Sequence, residues 1–132
     1  MAQKLAMIAL LVDDYDKALS YYVGKLGFKK TEDTKLSNSK RWVTVIPPGS
    51  ANGLLLARAA NERQLHAIGN QSGGRVFLFL ETDDFERDHE RYVRNGVKFV
   101  ESPRDETYGK VAVFEDLYGN RWDLIEPRST AT

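Results

Sequence analysis

The stretch LAMIALLVDDYDKALSYYVGKLGF, Leu5 to Phe28, decides the fold because a variant of it returns later in the chain. The second copy is VFLFLETDDFERDHERYVRNGVKFV, Val76 to Val100, and the Asp pair at 13–14 aligns with the Asp pair at 83–84. A pattern that recurs in this way indicates one supersecondary unit present twice.

Each copy has the sequence features of a strand followed by a helix. An apolar run leads to the Asp pair, and Asp is a favoured N-cap because its carboxylate accepts hydrogen bonds from first-turn N–H groups. Apolar residues then recur at helical spacing. Gly27 and Gly96 close the two copies, and glycine supplies the left-handed conformation that ends many helices.

The rest of each copy predicts further strands, which makes each copy a βαβββ module. The predicted fold class is α+β, with two tandem modules that form curved mixed sheets around a shared cleft. We expect a single domain over residues 1–132, with module one at about 5–58, a linker at about 59–73 and module two at about 74–127. The predicted strands are 28–35, 41–46, 54–58, 75–81, 97–101, 110–115 and 120–126. The predicted helices are 84–95 and a short one from a capping box at 61–64 to about 68, and 102–109 is predicted to be a loop.

The composition excludes several classes of function. The 132 residues include 19 basic and 19 acidic ones, so no strong field favours nucleic acid or an anionic membrane. There is no cysteine, which excludes a thiolate nucleophile and cysteine-based metal sites. No apolar segment is long enough to span a bilayer and no signal peptide is evident, so we expect a cytoplasmic protein.

Three motifs in order resemble the vicinal oxygen chelate superfamily, which includes glyoxalase I, extradiol dioxygenases and bleomycin-resistance proteins. The motifs are VDDYDKALSYYVGKLGF, GGRVFLFLETDDFE and VAVFEDLYGNRWDLIEP, and the resemblance covers about residues 5–127. It implies the paired-module fold and a homodimer, in which a symmetric contact is expected.

The resemblance also implies four metal-ligand positions, which fall here on Met7, on or beside Leu55, on Phe77 and on Asp123. A thioether is a poor ligand for the metals of these enzymes, and Leu and Phe cannot coordinate at all. One remaining carboxylate does not hold a catalytic divalent ion. The sequence therefore predicts neither a metal site nor another cofactor.

Strand alternation predicts a small-molecule site on matching strand faces. The alternative is that the same side chains fill a closed core. Asp123 is the candidate catalytic residue, which would orient or deprotonate a substrate and be held ionised by Arg121 or Arg75. The alternative is that Asp123 forms a structural salt bridge. The ligand-binding residues predicted on these faces are Met7, Ala9, Leu55, Phe77, Phe79 and Arg121.

The segment 102–109 predicts two more ligand-binding residues. Arg104 is suited to an anionic group and Tyr108 to a flat wall, although a hydrated turn also has this composition. Trp42 and Trp122 suit the core or a dimer interface better than ligand stacking. His66 and His89 lack metal-binding spacing, and we expect His89 to be a partly buried helix residue.

The leading hypothesis is a protein that binds a small organic molecule in a largely apolar cleft without a tightly held metal. One alternative is a metal-dependent lyase or dioxygenase of the glyoxalase type. The other is a metal-independent lyase or isomerase that uses Asp123. The sequence does not identify the ligand.

Overall fold

The computed structural model describes residues 1–128 and consists of nine strands and three helices over that range. The predicted β-α order is confirmed in both copies of the repeat. The elements are β1 Met7–Val12, α1 Tyr15–Gly24, β2 Lys29–Lys35, β3 Arg41–Ile46, β4 Gly53–Arg58, α2 Glu62–Ala67, β5 Val76–Glu81, α3 Phe85–Arg94, β6 Lys98–Phe99, β7 Arg104–Glu106, β8 Gly109–Glu115 and β9 Arg121–Pro127.

The two long helices begin and end as the repeat predicts. The Asp14 carboxylate accepts a hydrogen bond from the Lys17 backbone N–H at 2.9 Å, and the Asp84 carboxylate accepts one from the Arg87 N–H at 3.1 Å. After the helices, Gly27 has a φ of 74° and Gly96 a φ of 83°. Glycine adopts this left-handed conformation without the steric penalty that a Cβ brings.

The first sheet is mixed, with the strand order β1-β4-β3-β2. β1 is parallel to β4, and the β4–β3 and β3–β2 pairs are antiparallel. Helix α1 packs against β2, β3 and β4. Alternate strand residues, among them Leu10, Val43 and Leu56, are fully buried on the side of α1.

The second sheet repeats this arrangement with the order β5-β9-β8-β6, and β7 pairs with β8 as an additional strand. β5 is parallel to β9, and the other pairs are antiparallel. Helix α3 packs against β9, and its Tyr92 ring meets Phe114 edge-on at 5.5 Å. Two mixed sheets built from βαβββ modules confirm the predicted fold class.

The chain forms two compact units, which we call unit one, residues 1–68, and unit two, from Gly69 onward. The boundary falls inside the segment 59–73 that the sequence predicts as a linker. The predicted short helix in that segment is α2, which packs on β1 within unit one. The Asn61 side chain caps it by accepting a hydrogen bond from the Gln64 N–H at 2.9 Å.

The sequence prediction was wrong over one stretch of unit two. The predicted loop at 102–109 contains strand β7, which pairs with β8, and the strand predicted at 97–101 is reduced to the two residues of β6. Glu106 pairs with Gly109 at the turn of a short hairpin. The polar composition of this hairpin is also typical of a loop, which explains the wrong prediction. Within residues 1–128, no helix is long and apolar enough to cross a membrane.

Candidate functional site

The ligand-binding residues predicted in unit one lie on one face of the first sheet. We call the sheet side that faces away from α1 the open face of sheet one. Register pairs Ala9 on β1 with Leu55 on β4, and Met7 lies two residues before Ala9. Met7 is 38% exposed, whereas neighbouring strand residues that point to α1 are buried. The structure therefore brings these three side chains together.

Strand β3 adds two residues to this face that the sequence argument did not include. Thr44 pairs with Leu55 in register, and Trp42 lies two residues before it. The Thr44 hydroxyl lies 2.6 Å from the Thr31 hydroxyl, so the two satisfy each other by a hydrogen bond. The alternation in RWVTVI would have placed both residues on this face.

In unit two, the corresponding open face is the side of sheet two that faces away from α3. Register aligns Phe79 on β5, Asp123 on β9 and Val113 on β8 as one row across it. Phe79 is 69% exposed, which is unusual for a large aromatic side chain. Phe77 lies at a register shift between Val76 and Leu78, where the alternation of faces is interrupted, so the predicted row of Phe77 with Phe79 is not formed as a regular strand face. The structure places an exposed aromatic ring directly beside Asp123.

Asp123 is 9% exposed, and its Oδ1 atom is buried without a hydrogen-bond partner among residues 1–128. Burial raises the pKa of Asp123, the Arg104 guanidinium acts in the opposite direction, and Glu101 adds to the increase. A buried polar atom without a partner is costly and uncommon in folded proteins. Asp123 is therefore a carboxyl group suited to accept a hydrogen bond from a ligand.

The cation that acts on Asp123 differs from the one expected. The sequence argument named Arg121 or Arg75, but Arg104 is the arginine whose charge bears on this carboxylate. Arg121 lies at the end of β9, where its Nε atom is 3.8 Å from the Glu115 carboxylate. Arg104 favours the charged form of Asp123, but burial outweighs it, so the net pKa of Asp123 is raised rather than lowered.

Arg104 lies on strand β7 opposite Val111, which places it on the open face of sheet two with Asp123. Its Nε atom donates to Glu106 at 2.9 Å, and its Nη1 atom donates to Glu101. Hydrogen bonds to Glu106 and to the Tyr108 side chain raise the pKa of Arg104. Two carboxylates thus already engage the predicted anion clamp, and Tyr108 is 52% exposed beside it.

The prediction of a loop at 102–109 hides the contact of Arg104 with Glu106, and the contact with Glu101 follows from tertiary packing that the sequence pattern does not show. Residues two apart on a strand share a face. Reading RDE as a strand would have placed Arg104 and Glu106 together.

The donor set does not fit the metal centre that the fold family implies. Met7 and Leu55 lie on the open face of sheet one, Asp123 lies on that of sheet two, and Phe77 lies at the register shift in β5. A single carboxylate among these four side chains is too few ligands for a divalent ion. Within residues 1–128, no group of three or more His, Cys, Asp or Glu side chains could hold a metal ion.

The histidines and tryptophans have structural surroundings. His89 stacks on Phe85 at 5.4 Å and contacts Phe99 at 4.5 Å, which confirms a partly buried helix residue. His66 is exposed on α2. Trp122 is buried and stacks on Phe114 at 5.8 Å, on the side of α3. Trp42, by contrast, is half-buried on the open face of sheet one.

Comparison with known proteins gives relatives that span the whole chain. An uncharacterized protein of Shewanella frigidimarina (strain NCIMB 400) is 58% identical over 129 residues, which cover 96% of this chain and 95% of the relative. The crystal structure of UcmS2 matches with a TM-score of 0.82 and 28% identity, over 95% of this chain and 98% of that one. TnmS3, an antibiotic binding protein from Streptomyces sp. CB03234, matches with a TM-score of 0.79 and 29% identity, over 97% of this chain and 99% of that one.

The family comparison agrees with the paired modules and with these structures. The profile of the Glyoxalase/Bleomycin resistance protein/Dioxygenase superfamily matches residues 4–124, which include both βαβββ modules. The chain therefore belongs to the Glyoxalase/Bleomycin resistance protein/Dioxygenase superfamily.

Proposed function

We propose that this protein binds a small organic molecule in a largely apolar cleft, on the open faces of its sheets, without a tightly held metal. The observation that carries the proposal is the pair formed by Phe79 and Asp123. An exposed aromatic ring lies beside a buried carboxyl oxygen that has no hydrogen-bond partner within residues 1–128. Apolar surface with a few polar groups is typical of small-molecule sites.

The open face of sheet one supports the same proposal from the other module. Met7, Ala9 and Leu55 present only apolar groups, and the threonine hydroxyls of Thr44 and Thr31 satisfy each other. Such a face has few polar groups to desolvate, so an apolar ligand can cover it at little cost. The similarity to TnmS3, an antibiotic binding protein, supports a ligand of drug-like size.

The proposal is tested by thermal-shift screening against metabolites and antibiotics, with protein purified without a histidine tag. A ligand at a hundred times its dissociation constant should stabilise the fold by about 2.7 kcal/mol, which such a screen detects. Every hit is repeated after treatment with a chelator. We expect saturable binding that the chelator leaves unchanged, and binding that disappears with the metal would contradict the proposal.

A second function is favoured by the electrostatics of Asp123. Burial raises the pKa of this carboxyl, which makes it a stronger base than an ordinary aspartate. A metal-independent lyase or isomerase would use it to take a proton from a substrate. Such an enzyme would retain turnover in chelator and lose it in the isosteric variant Asp123→Asn. A pure binding protein would show no turnover with any hit from the screen.

The third hypothesis, a metal-dependent lyase or dioxygenase, needs ligands that Met7, Leu55 and Phe77 do not supply. Stoichiometric nickel, zinc or iron in tag-free protein, together with activity lost on chelation, would revive it. Elemental analysis by mass spectrometry makes this measurement directly.

The proposal includes three further expectations from the sequence. We expect one domain, a homodimer and a cytoplasmic location. Light scattering on purified protein should give the mass of two chains, and fractionation of the native cells should place the protein with cytoplasmic markers. A monomer at micromolar concentration would remove the homodimer from the proposal.

A further inference from the structure

A cavity of about 510 Å³ opens in unit one where β3 and β4 diverge. The two strands pair only over residues 43–45 and 54–56. Beyond these pairs, β4 continues beside β1 to Arg58, and β3 continues beside β2 to Arg41. The cavity therefore lies between the start of β3 and the end of β4, and its volume is in the range of small-molecule sites.

Tyr15 of α1 forms a hydrogen bond to β3 at the point where β3 and β4 separate. The Arg41 backbone N–H donates to the Tyr15 hydroxyl at 3.2 Å, at a position where a continued ladder would offer a carbonyl of β4. Tyr15 is 7% exposed, and the Arg41 guanidinium lies 5.1 Å from the centre of its ring. A buried core residue therefore fixes the start of β3 at the edge of the cavity.

The charged residues that line the cavity are all cations, namely Lys40, Arg41 and Arg58. Arg41 is neutralised, because it donates to Asp33 at 2.7 Å and to Asp16 at 3.0 Å. Arg58 makes one long contact, from Nη1 to the Ser39 carbonyl at 3.5 Å. Within residues 1–128, neither Lys40 nor Arg58 has a carboxylate within ion-pair distance. Neither of these two cations is therefore held in an ion pair with a described residue, although Asp14 and Asp16 line the adjoining cavity with them.

Apart from Ser39, Gln64 and the Tyr15 hydroxyl, the remaining wall of the cavity is apolar, and it continues onto the open face of sheet one. Trp42 and Leu55 line it, and both belong to that open face. A planar ring packed against Trp42 and Leu55 would lie in the cavity that Lys40 and Arg58 also line. Arg58 alternates with Leu55 and so belongs to the side of α1, and the substituent of the ring would reach it through the opening between β3 and β4. Arginine offers a planar set of donors that matches a carboxylate or sulfonate, and lysine adds a point charge.

We propose that this cavity binds the anionic group of an aromatic organic ligand, with Lys40 and Arg58 on the carboxylate or sulfonate and with Trp42 and Leu55 against the ring. The inference rests on the proposed function and specifies the class of its ligand. It also assigns the anion site to unit one, because Glu101 and Glu106 already engage Arg104 in unit two.

Two fluorescent probes that share an aromatic skeleton test the inference. Anilinonaphthalene sulfonate carries the anion, and N-phenylnaphthylamine is its neutral counterpart. We expect the wild-type protein to bind the sulfonate about tenfold more tightly than the neutral probe at low salt. The preference should shrink as salt is added, because the two cations are exposed. The double variant Lys40→Gln/Arg58→Gln should bind the two probes equally and keep its affinity for the neutral one.

A matched control removes two positive charges elsewhere. Lys29 and Arg94 are exposed and lie outside the cavity, so Lys29→Gln/Arg94→Gln should keep the tenfold preference. Melting temperatures of both double variants establish that they are folded.

A neutral probe that binds saturably, with no sulfonate preference in the wild-type protein or with a preference that survives Lys40→Gln/Arg58→Gln, would overturn the anion site alone. If neither probe bound saturably, the inference that this cavity takes aromatic ligands would be overturned. The proposed function would then still be tested by the thermal-shift screen.

Discussion

On the open face of sheet one, Met7, Ala9 and Leu55 are apolar and the nearby hydroxyls of Thr44 and Thr31 bond to each other. On the open face of sheet two, by contrast, an exposed phenylalanine borders a buried carboxyl oxygen that has no partner within residues 1–128. The two modules share their strand order and their helix caps. They differ in whether the polar groups of the open face are satisfied.

The helix-facing sides of the two sheets have not diverged in this way. Tyr22 of α1 and Tyr92 of α3 occupy aligned positions, and both are buried. Close packing constrains such positions, because a change of even one methylene is felt in a core. The comparison teaches that packing preserves the scaffold while the open faces remain available for different chemistry.

The largest expected effect tests whether the two cores are equivalent. Tyr22→Ala and Tyr92→Ala should each lower the free energy of unfolding by about 3–5 kcal/mol, because each removes a buried aromatic ring. Urea denaturation followed by circular dichroism measures the loss. Tyr→Phe at the same positions keeps the ring and separates packing from the hydroxyl. A loss below about 1 kcal/mol at one site alone would show that the modules are not packed alike.

The second prediction tests the open face of sheet two. Phe79→Ala should weaken binding of a fluorescent hit from the thermal-shift screen, used as the probe, by about 10- to 30-fold, the equivalent of about 1.5–2 kcal/mol for lost aromatic contact. Its melting temperature should stay near that of the wild type, since Phe79 is 69% exposed. Fluorescence titration measures the affinity.

Val93→Ala is the matched control for Phe79→Ala. Val93 is 54% exposed on α3, away from the open face, so its truncation should leave probe affinity unchanged. Equal losses in both variants would indicate that the probe binds exposed apolar surface without preference.

The third prediction concerns the carboxyl without a partner. An unfolded aspartate titrates near pH 4, and burial raises the folded pKa of Asp123 above this value. Between the unfolded and the folded pKa, the folded state binds the proton more tightly than the unfolded state does. The contribution of Asp123 to stability therefore falls as pH rises through this range and levels off above the folded pKa. Asp123→Asn lacks this fall. It should be more stable than the wild type by about 1 kcal/mol at pH 7 and closer to it at pH 4.

Asp116 supplies the control for Asp123. It is 6% exposed, and its carboxylate accepts hydrogen bonds from the Tyr118 N–H, the Asn120 N–H and the Asn120 side chain, each at 2.9 Å. Asp116→Asn should therefore lower stability by about 1–2 kcal/mol. Urea denaturation at pH 4 and pH 7 measures the stability of both variants against the wild type. An Asp123→Asn variant that is less stable than the wild type at pH 7 would show that the Asp123 carboxylate is stabilised in the fold.

The smallest expected effect has the opposite pH dependence. Hydrogen bonds from Arg41 lower the pKa of Asp33, so Asp33 contributes stability above about pH 4 that is lost as pH falls through its folded pKa. Asp33→Asn should cost about 0.5–1 kcal/mol at pH 7, because the pair is near the surface. The difference from the wild type should disappear in acid. A pH-independent loss would place the effect in packing and not in charge.

The repeat in the sequence predicted the strand-helix order and the helix ends because Asp caps and glycine stops act locally. Hairpin β7–β8 was missed because the β7 residues 104–106 lack the apolar alternation and the β-branched residues that indicate strands, although their pairing is local. The faces of Met7, Ala9, Leu55 and Phe79 followed from alternation. Alternation did not predict that Asp123 Oδ1 lacks a partner or that two glutamates engage Arg104. These features depend on side-chain distances, which the periodicity of a sequence does not determine.

The most direct test of the account is a titration of chelator-treated, tag-free protein with N-phenylnaphthylamine, repeated after addition of one equivalent of nickel, zinc or iron. The account predicts saturable binding with the same dissociation constant in every sample. Binding that is absent from the chelated protein and restored by stoichiometric metal would contradict it.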